Sequence, residues 1–151
     1  MMKKTKILFV CTGNTCRSPM AEIILKNKLK LAGITDIQVK SAGISTENGQ
    51  KISVNSRKAL KALGLNAYSF RSTQLTRSML EKSDIVICMT ERHKATLSGY
   101  SNVLSISEIT KGGDVLDPYG QDLKVYIKTS HQIEDACNII LQKILQQKGE
   151  E

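Results

Sequence analysis

The sequence predicts an α/β fold: one open, four-stranded parallel sheet with helices on both faces. Three observations predict it. Short apolar or alternating runs recur at Ile7-Leu8-Phe9-Val10, at residues 37–41, at residues 84–89 and at residues 103–106. The segments between them carry apolar residues at helical spacing and are long enough for crossover connections between parallel strands. The runs at 7–10 and, after Asp84, at 85–89 are apolar throughout, as strands covered on both faces are. A sheet of this kind binds its ligands beyond the carboxyl ends of the strands, so the residues that follow each run carry the functional reading.

The first run, Ile7 to Val10, ends at Cys11-Thr12-Gly13-Asn14-Thr15-Cys16-Arg17-Ser18-Pro19, and a helical pattern opens at Met20. A buried strand thus delivers a cysteine into a short loop that runs into a helix N-terminus. Backbone N–H groups there converge, and the helix dipole adds positive charge, which makes an oxyanion site. Arg17, six residues after Cys11, closes the ring with a planar guanidinium suited to phosphate. The cage that holds a phosphate dianion also favours the thiolate form of Cys11. A bare Cys-x5-Arg is a weak signal, and the context gives it weight. Gly13 lets the backbone aim its amides at one point. Asn14 tolerates left-handed dihedrals and can brace the loop. Ser18 is placed to hydrogen-bond the Cys11 sulfur, and Pro19 needs no donor in the first helical turn.

From Pro19 to Ala32, the residues Ala21, Ile24, Leu25, Leu29 and Ala32 fall on one helical face. Glu22, Lys26 and Lys30 fall on the other, and Gly33 ends the helix. The second strand, Ile37 to Ser41, brings Ser41-Ala42-Gly43 to the same sheet edge as Cys11, where Ser41 is placed to brace Asn14. The polar stretch Ile44 to Gln50 is a loop and a candidate wall of the substrate cleft. A second helix is expected over Val54 to Leu63 with Gly64 at its end. Residues 66–74 show no clear period. Thr76 reads as the N-cap of a short third helix, stapled by Leu75 and Leu80. Cys88 belongs to the buried third strand, Asp84 to Met89, and is a core residue. Thr90 caps a fourth helix from Glu91, and Val103 to Ile106 is the fourth strand. Asp122 to Gln147 is a long final helix with Ile133, Cys137, Ile140, Leu141 and Ile144 as its buried stripe. The tail from Lys148 is expected to fray.

The loop Lys111 to Gly120 supplies a second chemical group. Asp117 precedes Pro118, so its backbone is held extended and its carboxyl group projects from the loop. Transfer of a phosphoryl group to a thiolate needs a proton for the leaving group, and a loop carboxylate is the best candidate. His93 and His131 lie on helices with no motif around them and are expected at the surface. No His-Asp cluster has ligand spacing, so no metal or other cofactor is expected.

The segment Val10 to Glu22, together with Ser41-Ala42-Gly43, Ile85-Val86-Ile87-Cys88-Met89-Thr90 and Asp117-Pro118-Tyr119-Gly120, resembles the low-molecular-weight protein tyrosine phosphatase family, in the family's order and across essentially the whole chain. The Thr-Gly-Asn-Thr form of the loop is most similar to the bacterial protein-arginine phosphatase branch. The resemblance implies a flavodoxin-like, low-molecular-weight phosphatase fold. It implies catalysis by Cys11, Arg17 and Asp117 through a phosphocysteine. Thr12, Gly13, Asn14, Thr15, Cys16 and Ser18 would surround the phosphate, and Tyr119 would stand beside the substrate side chain. It further implies phosphorylated proteins as substrates. Relatives that favour phosphotyrosine carry a larger aliphatic residue at the position of Thr15. A smaller, polar Thr15 leaves room for a guanidino group, whose N–H donors Asp117 can accept, so phosphoarginine is the expected substrate and phosphotyrosine the alternative. Many relatives have histidine where this chain has Phe70, so any support that residue gives the loop must come from elsewhere.

Bulk properties narrow the rest. A chain of 151 residues, 40% hydrophobic and 24% charged, suits one soluble domain spanning 1–151, expected as a monomer. No run reaches transmembrane length. Met1 to Lys4 leads into only four apolar residues, too few for a signal-peptide core, so no membrane association and a cytoplasmic location are expected. Four cysteines without paired spacing suit a reducing compartment. The net charge of +8 comes with only 4% aromatic residues and no basic-aromatic cluster. Nucleic acid is therefore not the expected partner, and the charge is either an electrostatic funnel for phosphorylated substrates or ordinary solvated lysine. Arsenate reduction on this fold would need a relay of further cysteines on a mobile segment, which Cys88 and Cys137 do not provide. A non-catalytic phosphate-binding module would need no proton donor. Cys16 has two readings, a disulfide partner that protects Cys11 from over-oxidation or a small packing residue.

Overall fold

The computed structural model describes residues 4–150. Four strands, β1 (Thr5–Cys11), β2 (Ile37–Gly43), β3 (Ile85–Cys88) and β4 (Val103–Ser105), form one sheet. The order is β2-β1-β3-β4, and every pair is parallel. The helices are α1 (Arg17–Leu31), α2 (Val54–Ala62), α3 (Arg77–Lys82), α4 (Glu91–Thr96), α5 (Ile106–Thr110) and α6 (Leu123–Gly149). The first crossover leaves β1 toward β2 and the next returns past β1 to β3. The carboxyl ends of β1 and β3 therefore flank the switch point where such sheets open a binding crevice.

Alternation along β1 divides the core. Ile7, Phe9 and Cys11 face a cluster with Met20, Ile24 and Leu25 of α1 and Ile133, Cys137 and Ile140 of α6. Leu8 and Val10 face a smaller cluster with Leu80, Val86, Cys88 and Val103, to which Leu75 and Met79 add. The helices thus cover both faces as expected, and Cys88 and Cys137 are core residues. Burial pushes the thiols of both up to about 12, so neither is a nucleophile at neutral pH.

Several boundaries differ from the sequence expectation. Helix α1 begins at Arg17, with Pro19 inside its first turn, and Ala32 is exposed rather than buried. Ile106 opens α5 instead of extending β4. Ser105 caps that helix, and Ser105 and Glu108 form a reciprocal capping box. Five residues are too few to show a period, which is why the pattern missed α5. Strand β3 is shorter than expected, and Ile85 at its start is exposed. Asp122 is the N-cap of α6. Of the tail expected to fray, Lys148 and Gly149 continue that helix, and Lys148 Nζ holds Asp36 Oδ2 at 2.6 Å. Glu151, and the leader residues 1–3, lie outside the described residues. No helix among the described residues is long and apolar enough to cross a membrane.

Candidate active site

Cys11 is the last residue of β1, and Arg17 the first of α1, so the loop between them spans only Thr12 to Cys16. The loop turns through Asn14, which takes φ of +53°. A left-handed residue is tolerable there because asparagine repays the strain with hydrogen bonds. Its amide donates to Ser18 Oγ at 2.8 Å and to Ser41 Oγ at 2.9 Å, and its Oδ1 accepts the Thr73 N–H at 2.8 Å. The Ser41 hydroxyl in turn donates a hydrogen bond to Glu22 Oε1 at 2.7 Å, and Lys26 holds the other Glu22 oxygen at 2.7 Å. Glu22 is thus part of the loop's support and not only a surface residue. Asn14 and Ser18 are fully buried. Their side chains hold the loop and do not line its mouth.

Backbone contacts finish the cradle. Ile44 and Ser45 donate to the carbonyls of Cys11 and Thr12, both at 2.9 Å, and Ser53 donates to that of Thr15 at 2.9 Å. Gly43 lies under the loop so closely that an added Cβ would stand 2.8 Å from the Thr12 carbonyl oxygen. Ser18 Oγ is 2.8 Å from Cys11 Sγ, the contact the sequence suggested. Cys16 is buried, its thiol directed at Ser53 Oγ at 3.4 Å and 3.6 Å from the Tyr126 hydroxyl. All four cysteines are free thiols.

Arg17 is buried, and its Nη1 donates to the Val115 carbonyl at 3.1 Å. Its other terminal nitrogen lies 3.7 Å from Asp117 Oδ2. The guanidinium therefore ties the cysteine loop to the loop that carries Asp117, two elements separated by about a hundred residues. Asp117 itself is half exposed, and its Oδ1 accepts the Tyr119 N–H at 3.1 Å. Tyr119 stands 78% exposed at the rim. On the other side, a cavity of about 350 Å³ opens between Gly13 and Thr15 and the 44–50 loop, lined there by Ser45, Thr46, Glu47 and Gln50. The 44–50 loop thus forms a wall of this cavity. It is held by Ser72 and Gln74, whose side chains bond the backbones of Glu47, Gln50, Thr46 and Ile44. Phe70 is buried in the core, and loop support in this region comes from the Thr73 backbone instead.

His93 overturns the expectation that it is a surface residue. It is only 6% exposed, and its Nε2 is 2.9 Å from Thr12 Oγ1. Its Nδ1 is buried without a partner among the described residues. A bare ring nitrogen is cheaper to leave unpaired than an N–H, so Nε2–H is the donor to Thr12. Burial, reinforced by the nearby Arg17 charge, lowers the imidazole to about 4. The residue is therefore neutral at pH 7. The cue in the sequence was its place three residues after the cap Thr90, just beyond a strand end; His131, by contrast, is exposed as expected.

Residues 6–150 match the low molecular weight phosphotyrosine protein phosphatase family. The chain belongs to that family. It is a phosphoprotein phosphatase. It is 35% identical over 146 residues to a protein-arginine-phosphatase of Geobacillus stearothermophilus, covering 92% of this chain and 95% of that one. It is 36% identical over 141 residues to the low molecular weight protein-tyrosine-phosphatase PtpB of Staphylococcus aureus, covering 90% and 94%. Among solved structures, the YwlE arginine phosphatase of Geobacillus stearothermophilus superposes with a TM-score of 0.89 at 32% identity, covering 97% of each chain.

Proposed function

We propose that this phosphatase removes phosphate from arginine side chains of proteins. The observation that carries the reading is the polar wall around Thr15. The cavity beside it presents Ser45, Thr46, Glu47 and Gln50, a lining that suits a planar group rich in N–H donors better than a phenyl ring. Glu47 supplies a carboxylate to those donors, and Asp117 is kept for the proton of the departing nitrogen.

In the mechanism that follows, the Cys11 thiolate attacks phosphorus in line. Loop amides, the α1 N-terminus and Arg17 stabilise the equatorial oxygens. The P–N bond breaks as Asp117 protonates the departing guanidino nitrogen, leaving a phosphocysteine. Asp117, now a carboxylate, takes a proton from the water that attacks that phosphorus. The P–S bond breaks, inorganic phosphate forms, and the Cys11 sulfur leaves as a thiolate beside the Ser18 hydroxyl.

The test is kcat/KM on a phosphoarginine peptide and a phosphotyrosine peptide, with Thr15→Ile alongside. The expected result is a wild-type preference for phosphoarginine that shifts toward phosphotyrosine in the variant. A wild-type preference for phosphotyrosine overturns the substrate assignment and favours the second reading, for which the exposed Tyr119 at the rim is the specific observation.

A further inference from the structure

Away from the catalytic loop, a groove of about 880 Å³ follows the free edge of the sheet, lined from β1, β2, α1, residues 66–73 and α3. Its apolar part includes Leu8, Phe70 and Met79. Its charged part is one-sided: Lys6, Lys26, Lys40, Arg71 and Lys82 against the single carboxylate of Glu22, which Lys26 already holds. Strand β2 is the edge strand, and among the described residues its outer side meets another segment only at Gly43, which bridges to Gln74. Residues 37–42 thus offer a row of unpaired main-chain groups inside a basic, partly apolar groove.

We propose that this groove docks an extended, acidic segment of the phosphoprotein substrate, added to the β2 edge through main-chain hydrogen bonds and held by the lysine and arginine rim. Its identity as part of the substrate rests on the phosphatase reading; its acidity and extended form rest on the groove alone. A second copy of this chain is a poor occupant, because edge-to-edge pairing sets Lys40 and its neighbours against their own like charges. A single-stranded nucleic acid is a poor one too, since stacking needs exposed aromatic faces, and the groove's one aromatic lining residue, Phe70, is buried while the exposed Tyr68 does not line it. An acidic strand satisfies both the backbone edge and the charge. The groove ends at Ser41 and Thr73, each one hydrogen bond from Asn14 of the catalytic loop. A docked segment therefore reaches the residues that brace the catalytic loop from beneath.

The experiment uses the full chain and a labelled, unphosphorylated dodecamer alternating Glu or Asp with Val or Thr, read by fluorescence anisotropy. Saturable binding is expected, about tenfold weaker in Lys40→Glu/Lys82→Glu. Lys61→Glu/Lys143→Glu, exposed positions outside the groove, change net charge equally and should bind as wild type. Arg71→Glu repeats the test on a separate segment should β2 not tolerate its substitution. Absence of saturable binding, equal weakening in the Lys61/Lys143 variant, or equal displacement by an oligonucleotide of the same charge overturns the proposal. Turnover of para-nitrophenyl phosphate is expected unchanged in the groove variants. Its absence in wild type would sink the phosphatase reading and leave the binding result standing.

Discussion

The Ser18 hydroxyl stands 2.8 Å from the Cys11 sulfur while it accepts an N–H of Asn14, also at 2.8 Å. With the amide on the oxygen's lone pair, the hydroxyl proton is left for the sulfur. That donor matters most when the sulfur carries full negative charge, as the attacking thiolate and again as the group released from phosphocysteine. Ser18→Ala should lower kcat by about 10²-fold, and rapid quenching should show phosphocysteine accumulating. An unchanged kcat, or loss of the first step alone, would contradict this role.

Asp117 acts on the other end of the breaking bond. Replacing it with Asn keeps size and removes the proton. The expected loss in kcat is about 10²–10⁴-fold on a phosphoarginine peptide, and much less on para-nitrophenyl phosphate, whose leaving group departs without protonation. Equal losses on both substrates would assign Asp117 to positioning Arg17, its neighbour at 3.7 Å.

The sequence was most legible where local chemistry and global fold agree. A buried strand, a Gly-Asn turn and a helix start each left a mark around Cys11, so the cysteine loop, Arg17 and the Ser18 contact could be read from one dimension. Asp117 was readable because proline fixed the backbone before it was packed. The supports were not readable in the same way. Thr73 reaches Asn14 through a backbone N–H, which any residue but proline would offer. Glu22 looked like a residue of the polar helix face because Ser41, its partner, lies on another element. His93 looked exposed because helical spacing over six residues cannot say which side faces Thr12. These are long-range pairings, and periodicity reports only local ones.

Gly43 shows the same point in backbone form. A Cβ there would meet the Thr12 carbonyl oxygen at 2.8 Å and Asn14 N and Cβ at 3.0 Å. Two of these three atoms are backbone, so no side-chain rotation relieves the clash. Gly43→Ala should push the loop away from β2, cost about 1–3 kcal/mol in stability and lower kcat/KM at least about tenfold, since loop amides then miss the phosphoryl oxygens. Denaturant titration and steady-state kinetics check both numbers. Wild-type kcat/KM in the alanine variant would mean that the loop adapts and that its support lies elsewhere.

His93 gives the site an acid limit. In the fold the imidazole is lowered to about 4 from its ordinary 6.5, first by burial and then by Arg17, with Arg92 acting in the same direction and Asp114 and Asp117 opposing. The unfolded chain binds the proton more readily, so stability is complete above about pH 6.5 and is lost as pH falls toward 4. The loss from this group is about 3 kcal/mol. His93→Gln keeps an N–H where Nε2 donates to Thr12 and removes the titration. At pH 7.5 the variant should retain most of its activity, whereas His93→Leu should lose it through an unsupported Thr12. Between pH 6.5 and 4 wild type should lose stability faster than the glutamine variant, measured by urea unfolding at each pH. Parallel curves for the two would show that the proton goes elsewhere. Equal activity in the leucine variant would show that Thr12 needs no partner to hold the loop.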